Sequence, residues 1–298
     1  MKRYYHFFAN GDDARNFITS EEEFKLAFNR VGLCCHLSGV TVVAFSVEDT
    51  HLHALLWGVF DECEQFKNLF VRKSQCSIVS GRGSLDGVKL DCELYEVDDE
   101  NYLRNVASYV VVQATKDGKA VMPYDYIYGT GSLYFRSEHC VLPWMVSKDG
   151  GVMEPVRFDA VSSRDKRKLC GSRENIPDHW LVCNGFILPT NFVDVKRFES
   201  IFKTHNCFRV FMSSGRDKYM AVQDMMASVR GIMIEDLEAR RLCESVCLAL
   251  FGRKGTRHVT PEQRIELSRE LRRRYGLSIR QISTLTRLPE EELCKYLR

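Results

Sequence analysis

The stretch His51-Leu52-His53-Ala54-Leu55-Leu56-Trp57-Gly58 decides the fold. In a strand, side chains two apart share a face. His51 and His53 therefore project together while Leu52 turns toward a core, and the two imidazoles can hold one cation between them. Immediately before it, residues 40–47 form a β-branched run, and Glu48-Asp49-Thr50 supplies the turn. The order predicts an antiparallel hairpin with the two histidines at the start of its second strand.

Working outward, Tyr4-Tyr5-His6-Phe7-Phe8 reads as a strand. Ser20-Glu21-Glu22-Glu23 opens a helix whose apolar residues Phe24, Leu26, Ala27 and Val31 run toward Gly32. Beyond the hairpin, residues 61–79 predict a second helix with Phe66, Leu69 and Phe70 on one side, residues 88–97 a strand, and residues 99–114 a third helix. The sum is a βαββαβα unit of α+β class, a small, mostly antiparallel sheet covered by helices. Gly118 and the Gly/Tyr-rich residues 124–134 mark its exit.

Residues 137–222 carry a weaker pattern, with short helices at 163–169 and 193–202 and a turn at Ile176-Pro177. An amphipathic stretch over 234–251 stops at Gly252. In the tail, Thr260-Pro261-Glu262-Gln263 starts a helix that ends at Gly276, Ser278 caps a second, and Pro289 precedes a third. Three short helices with a tight turn between the last two form an all-α helix-turn-helix pattern. The expected division is 1–136 as the core domain, 137–252 as a mixed accessory segment and 253–298 as the helix-turn-helix.

The net charge of +2 conceals an uneven distribution. Residues 253–298 hold twelve Lys/Arg against six Asp/Glu, which leaves −4 on residues 1–252. A basic tail on a balanced body is compatible with contact to a phosphate backbone. The twelve cysteines are scattered without a CxxC pair, so buried reduced thiols are expected rather than a zinc or disulfide framework. Met1-Lys2-Arg3 leads straight into the first strand without a signal-peptide apolar region, and no stretch approaches the ~20 apolar residues of a membrane span. A cytoplasmic protein is the expectation.

The helix over 99–114 carries Tyr109-Val110-Val111-Val112-Gln113. On a helix i and i+4 share a face, so a phenol and a carboxamide stand side by side. A phenol oxygen can attack phosphorus, and a glutamine oxygen can complete a metal's coordination.

A two-histidine strand in a hairpin followed by a helix, a strand and a helix bearing YxxxQ resembles the single-tyrosine HUH transposases. Tyr109 to Gly118 followed by Asp125-Tyr126-Ile127-Tyr128-Gly129-Thr130-Gly131-Ser132 is similar to the corresponding run of the REP-associated tyrosine transposases. The tail around Leu271-Arg272-Arg273-Arg274-Tyr275-Gly276 resembles their C-terminal helix-turn-helix. The likeness covers residues 1–136 and 258–298, and the middle is matched loosely. Two departures stand out: Thr50 replaces the asparagine frequent before the first histidine, and Gln113 replaces the asparagine usual in the REP-associated group.

The resemblance implies that His51, His53 and Gln113 hold one Mg2+ or Mn2+ ion and that Tyr109 is the nucleophile, forming a 5′-phosphotyrosine on single-stranded or hairpin DNA. Candidate DNA contacts are Arg72, Lys73, Arg82, Arg104, Tyr126 and Tyr128, with Arg272, Arg273, Arg274 and Arg280 in the tail. The last helix opens Pro289-Glu290-Glu291-Glu292, and these carboxylates repel phosphate. The tail is therefore expected to dock by its arginines or to contact protein instead. Two further readings stay open: a domesticated, non-catalytic regulator that binds hairpin DNA, and a zinc hydrolase in which Glu48 or Asp49 activates water. Monomer and homodimer are both compatible with the sequence.

Overall fold

The computed structural model describes residues 1–116, 119–120, 122–136, 140–213, 236–253, 255–256, 259–275, 277 and 279–297. The first half of the chain follows the expected order: β1 (Arg3–Asn10), α1 (Glu21–Ser38), β2 (Thr41–Val47), β3 (His51–Gly58), α2 (Phe60–Arg82), β4 (Glu93–Val97) and α3 (Glu100–Lys116). The four strands form one antiparallel sheet in the order β2-β3-β1-β4. Its hairpin closes where the Glu48 amide donates to the His51 carbonyl at 2.7 Å.

Register decides which side chains share a face. Phe8 opposes His53, and His6 opposes both Leu55 and Tyr95, so His6, Phe8 and His53 stand on one side of the sheet. Phe7 stands on the other side and packs against Phe66 and Phe70 of α2, while Phe28 of α1 meets Phe45 of β2 there. Helices α1 and α2 thus cover one face, and α3 covers the histidine face.

Local chemistry sets the helix ends. The Ser20 hydroxyl accepts from the Glu23 amide at 3.2 Å, three glutamates occupy the first turn of α1, and Gly39 closes its end in the left-handed conformation. The helix runs past Gly32, where the sequence pattern placed its end. Gly32 instead seats a ring: a Cβ there would lie 2.7 Å from Phe192. Strand β4 begins later than expected because the Lys89 and Asp91 amides donate to the Arg15 and Asp13 carbonyls rather than to β1.

Strand β2 lies at a sheet edge, and the Tyr/Gly run covers it. The Val47 amide donates to the Tyr128 carbonyl and the Thr130 amide to the Phe45 carbonyl, each at 3.0 Å. The hydroxyls of Tyr126 and Tyr134 donate to the carbonyls of Val47 and Val43, each at 2.7 Å. An edge that would otherwise offer open backbone groups is thereby satisfied from within the chain.

The rest of the first half's surroundings comes from residues 140–213. These contain β5 (Val156–Arg157), α4 (Ser163–Cys170), β6 (Leu181–Cys183), β7 (Phe186–Ile187), α5 (Val195–Phe202) and α6 (His205–Ser213). Strands β5, β6 and β7 form a second small antiparallel sheet. The buried Asn29 of α1 pins it, donating to the Gly185 carbonyl at 2.9 Å and accepting from the Ile187 amide at 2.8 Å.

The chain divides into two compact units, Met1–Gly215 and Arg216–Arg298, where the sequence pattern suggested three segments. The difference has a packing cause. Residues 140–213 cover α1, α3 and β2, whereas α7 (Asp236–Phe251) shares its core with the tail helices α8 (Pro261–Tyr275), α9 (Ile279–Thr286) and α10 (Glu290–Tyr296). That second core gathers Cys243, Cys247, Leu267, Leu271, Ile282 and Leu293, all buried. Its tight turn is tied by the Ser283 hydroxyl donating to the Leu288 carbonyl at 2.7 Å. No disulfide forms among the described residues, although Cys76 and Cys140 are exposed rather than buried. None of the described helices is long and apolar enough to cross a membrane.

Candidate active site

The sheet register and α3 bring His51, His53 and Tyr109 together. Tyr109 stands edge-on over His53, with ring centroids 5.0 Å apart and planes at 88°. His51 and His53 are 6.2 Å apart by centroid and nearly parallel, as same-face neighbours on a strand must be. Gln113 follows one turn after Tyr109 and is 3% exposed. Its side-chain oxygen is buried and has no hydrogen-bond partner among the described residues. The three intervening valines are buried too, because α3 is enclosed on both sides: Arg104 on its outer face donates to the Ile201 carbonyl of α5 at 3.2 Å.

A fourth residue joins them that the motif spacing does not single out. His6 of β1 is fully buried, and its Nε2 lies 3.2 Å from His53 Nδ1. Burial depresses its pKa to about 3, so His6 is neutral at physiological pH. The period-two pattern of Tyr4 to Phe8 marks a strand, but only the pairing of β1 with β3 shows that His6 reaches His53. On the outer side, the Thr50 hydroxyl lies 2.9 Å from His51 Nδ1. Each histidine of the pair thus has its Nδ1 within hydrogen-bond reach of a neighbour, which fixes the ring's orientation.

These residues fit a divalent ion on chemical grounds: two oriented imidazoles and a buried amide oxygen that lacks a partner among the described residues. Among the described residues no three His, Cys, Asp or Glu side chains converge to hold a metal, so the set depends on Gln113. Glu48 and Asp49 are committed elsewhere. Lys119 lies 3.3 Å from Glu48 and also pairs with Asp49. Burial works against the Lys119 ammonium, but Asp49 and Glu48 outweigh it and hold its pKa above the ordinary value. A carboxylate held this way is poorly placed to activate water, which weakens the hydrolase reading.

Tyr109 is completely buried. No phosphodiester reaches its hydroxyl in this arrangement, so any attack by it requires part of its cover to move.

The candidate DNA contacts lie mostly elsewhere or are engaged within the chain. Arg72, Lys73 and Arg82 stand on α2, behind the sheet from Tyr109. Arg72 is exposed and shares a groove with Asp61 and Glu64. Lys73 pairs with Glu174 at 2.7 Å. Arg82 clamps Glu23 and donates to the Asn16 and Phe17 carbonyls at 2.7 and 3.1 Å. Tyr126 spends its hydroxyl on β2, and Tyr128 stacks on Phe24 at 4.6 Å. In the second unit, Arg272 donates to the Leu277 carbonyl at 2.9 Å. The side chains of Arg273, Arg274 and Arg280 lie outside the described residues. Of these candidates only Arg104 belongs to the helix that carries Tyr109.

No family model matches the chain, and no curated protein matches it. Among solved structures, a REP-associated tyrosine transposase bound to a REP hairpin is similar over 43% of this chain and 76% of that one, at 13% identity and a TM-score of 0.31. A likeness that distant assigns no function.

Proposed function

We propose that the protein cleaves and rejoins single-stranded DNA through Tyr109, on substrates that carry a hairpin. The observation that carries this reading is the Tyr109 ring standing 5.0 Å from that of His53, with His51 beside His53 on the same strand face and the buried Gln113 one turn after Tyr109 on α3. The motif order read from the sequence supports it independently.

In this account His51, His53 and Gln113 hold Mg2+ or Mn2+, which when bound withdraws charge from the scissile phosphate and stabilises the charge of the transition state. The Tyr109 oxygen attacks phosphorus as the bond to the 3′ oxygen breaks, giving a 5′-phosphotyrosine and a free 3′-hydroxyl that ends with the proton. Because the phosphodiester energy is kept in that link, a second 3′-hydroxyl can reverse the attack and join strands. His6 holds the His53 ring, and Thr50 the His51 ring. The enclosed position of Tyr109 shields the phenol from water until DNA displaces its cover.

That same burial favours a second reading, a non-catalytic regulator that binds hairpin DNA. An assay separates the two. End-labelled hairpin oligonucleotide with a single-stranded flank is incubated with protein and Mn2+, with and without EDTA. The strand-transfer account expects a discrete cleavage product that EDTA abolishes. Binding without cleavage under every metal condition would instead establish the regulator.

A further inference from the structure

Helix α4 packs on α1, on the far side of the sheet from Tyr109, and concentrates positive charge there. Residues 162–174 hold five Lys/Arg against two Asp/Glu. Arg164, Arg167 and Lys168 are three and four positions apart, so they share one face of α4, and all three are exposed, as is Arg173 just past the helix. The side chains of these four make no ion pair or hydrogen bond among the described residues. Other cations nearby are engaged: Lys166 donates to the Asp159 carbonyl at 3.4 Å and stands over the Phe158 ring, Lys73 pairs with Glu174, and Arg82 pairs with Glu23. Helix stability does not account for the four. The macrodipole favours cations in the last turn, yet Arg164 stands in the first turn of α4 and Arg173 beyond its end.

An open groove runs beside this stripe. Ser77, Ser80 and Gly81 of α2 form one wall, and Arg167, Ser172 and Arg173 form the other. Among the described residues neither a carboxylate nor an aromatic ring lines it. Glu174 beside it is neutralised by Lys73 at 2.7 Å, and Asp165 accepts from the Ser162 hydroxyl at 2.6 Å. Along α2 and just past it, residues 65–85 contain no Asp or Glu. A Cβ on Gly81 would meet nothing within 4 Å, so the wall is open there. This is the chemistry a phosphate backbone takes up: guanidinium forks supply charge and paired donors, serine hydroxyls add donors, and small side chains let the backbone come close. Proteins that hold single strands combine such charge with rings on which bases stack, and the described lining has none. A duplex keeps its bases stacked inside and needs only the backbone contacts.

We propose that α4 and this groove hold the backbone of duplex DNA without reading its sequence. That the duplex is DNA rests on the function proposed above. The surface itself does not depend on Tyr109, which lies on the opposite sheet face. The basic tail supplies the larger excess of charge, and α4 adds a second contact on the first unit.

Fluorescence anisotropy of the full chain on a blunt duplex, with neither hairpin nor single-stranded flank, tests it across a salt series. Replacing Arg164, Arg167 and Arg173 together with glutamine is expected to weaken duplex binding and to lower the slope of log affinity against log salt by about two to three, at about 0.9 per lost phosphate contact. The three side chains are exposed, so the variant is expected to keep its fold, with circular dichroism as the check. Ser80→Glu sets a negative charge on the other wall and is expected to weaken binding as well, which decides the matter if the triple variant fails to fold. Lys148→Gln combined with Lys196→Gln removes exposed charge elsewhere on the unit and is expected to leave the duplex slope as in wild type. The measurement involves no cleavage, so it succeeds or fails apart from the role given to Tyr109. No duplex binding by wild type, an unchanged slope in the folded triple variant, or a fall that the lysine pair reproduces overturns the surface. A fall confined to single-stranded DNA overturns the duplex assignment.

Discussion

At the scale of single residues, His6 shows what a motif omits. Two histidines flanking one apolar residue can be read from spacing alone, because strand periodicity is local. The histidine that supports them is 47 positions from His53, at 3.2 Å through space. Sequence spacing carries no trace of that contact, since it depends on strand pairing and register. Partners of this kind typically change metal affinity 10- to 100-fold when removed. His6→Phe in a Tyr109→Phe background is therefore expected to weaken Mn2+ binding by roughly that factor, read by electron paramagnetic resonance, with His6→Asn weaker in effect because an amide keeps the hydrogen bond. Unchanged Mn2+ affinity in a folded His6→Phe would remove it from this role.

At the scale of elements, the β1-to-α3 order was legible because hydrophobic period, capping residues and turn chemistry agree over each segment. Errors fell where a residue has two uses. Gly32 resembles a helix stop but serves as the floor under Phe192, a contact 160 positions away that no local pattern encodes. A Cβ at 2.7 Å from that ring forces a shift, so Gly32→Ala is expected to destabilise the first unit by about 1–3 kcal/mol, the usual cost of overpacking, in urea unfolding. A neutral or stabilising result would mean that Phe192 yields freely. Two of the basic candidates have internal partners for a related reason. Arginine and lysine on α2 look available in a sequence, yet Lys73 and Arg82 are engaged in pairs with Glu174 and Glu23 that lie far along the chain. Tyr126 likewise gives its hydroxyl to a sheet edge.

At the scale of the whole molecule, the chain joins a mixed α/β unit with an antiparallel sheet to a helical unit that holds most of the excess positive charge. Residues 253–298 carry twelve basic residues against six acidic ones, whereas several of the first unit's basic side chains are paired internally. Electrostatic affinity for DNA should then reside mainly in the tail. For every phosphate that the protein ceases to neutralise, the slope of log affinity against log salt falls by about 0.9 for duplex and about 0.7 for single-stranded DNA. Replacing Arg273, Arg274 and Arg280 together with glutamine is expected to lower it by about two to three on a hairpin. An unchanged slope would place those arginines off the DNA.

The nucleophile assignment is the centre of the account, and Tyr109 is both well placed beside His53 and fully enclosed. The direct measurement is mass spectrometry of protein incubated with Mn2+ and a hairpin oligonucleotide bearing a single-stranded flank. The account predicts a covalent protein–DNA adduct, mapped to the peptide containing Tyr109 and abolished in Tyr109→Phe. An adduct that survives Tyr109→Phe, or none under any metal condition on DNA the protein demonstrably binds, would contradict it.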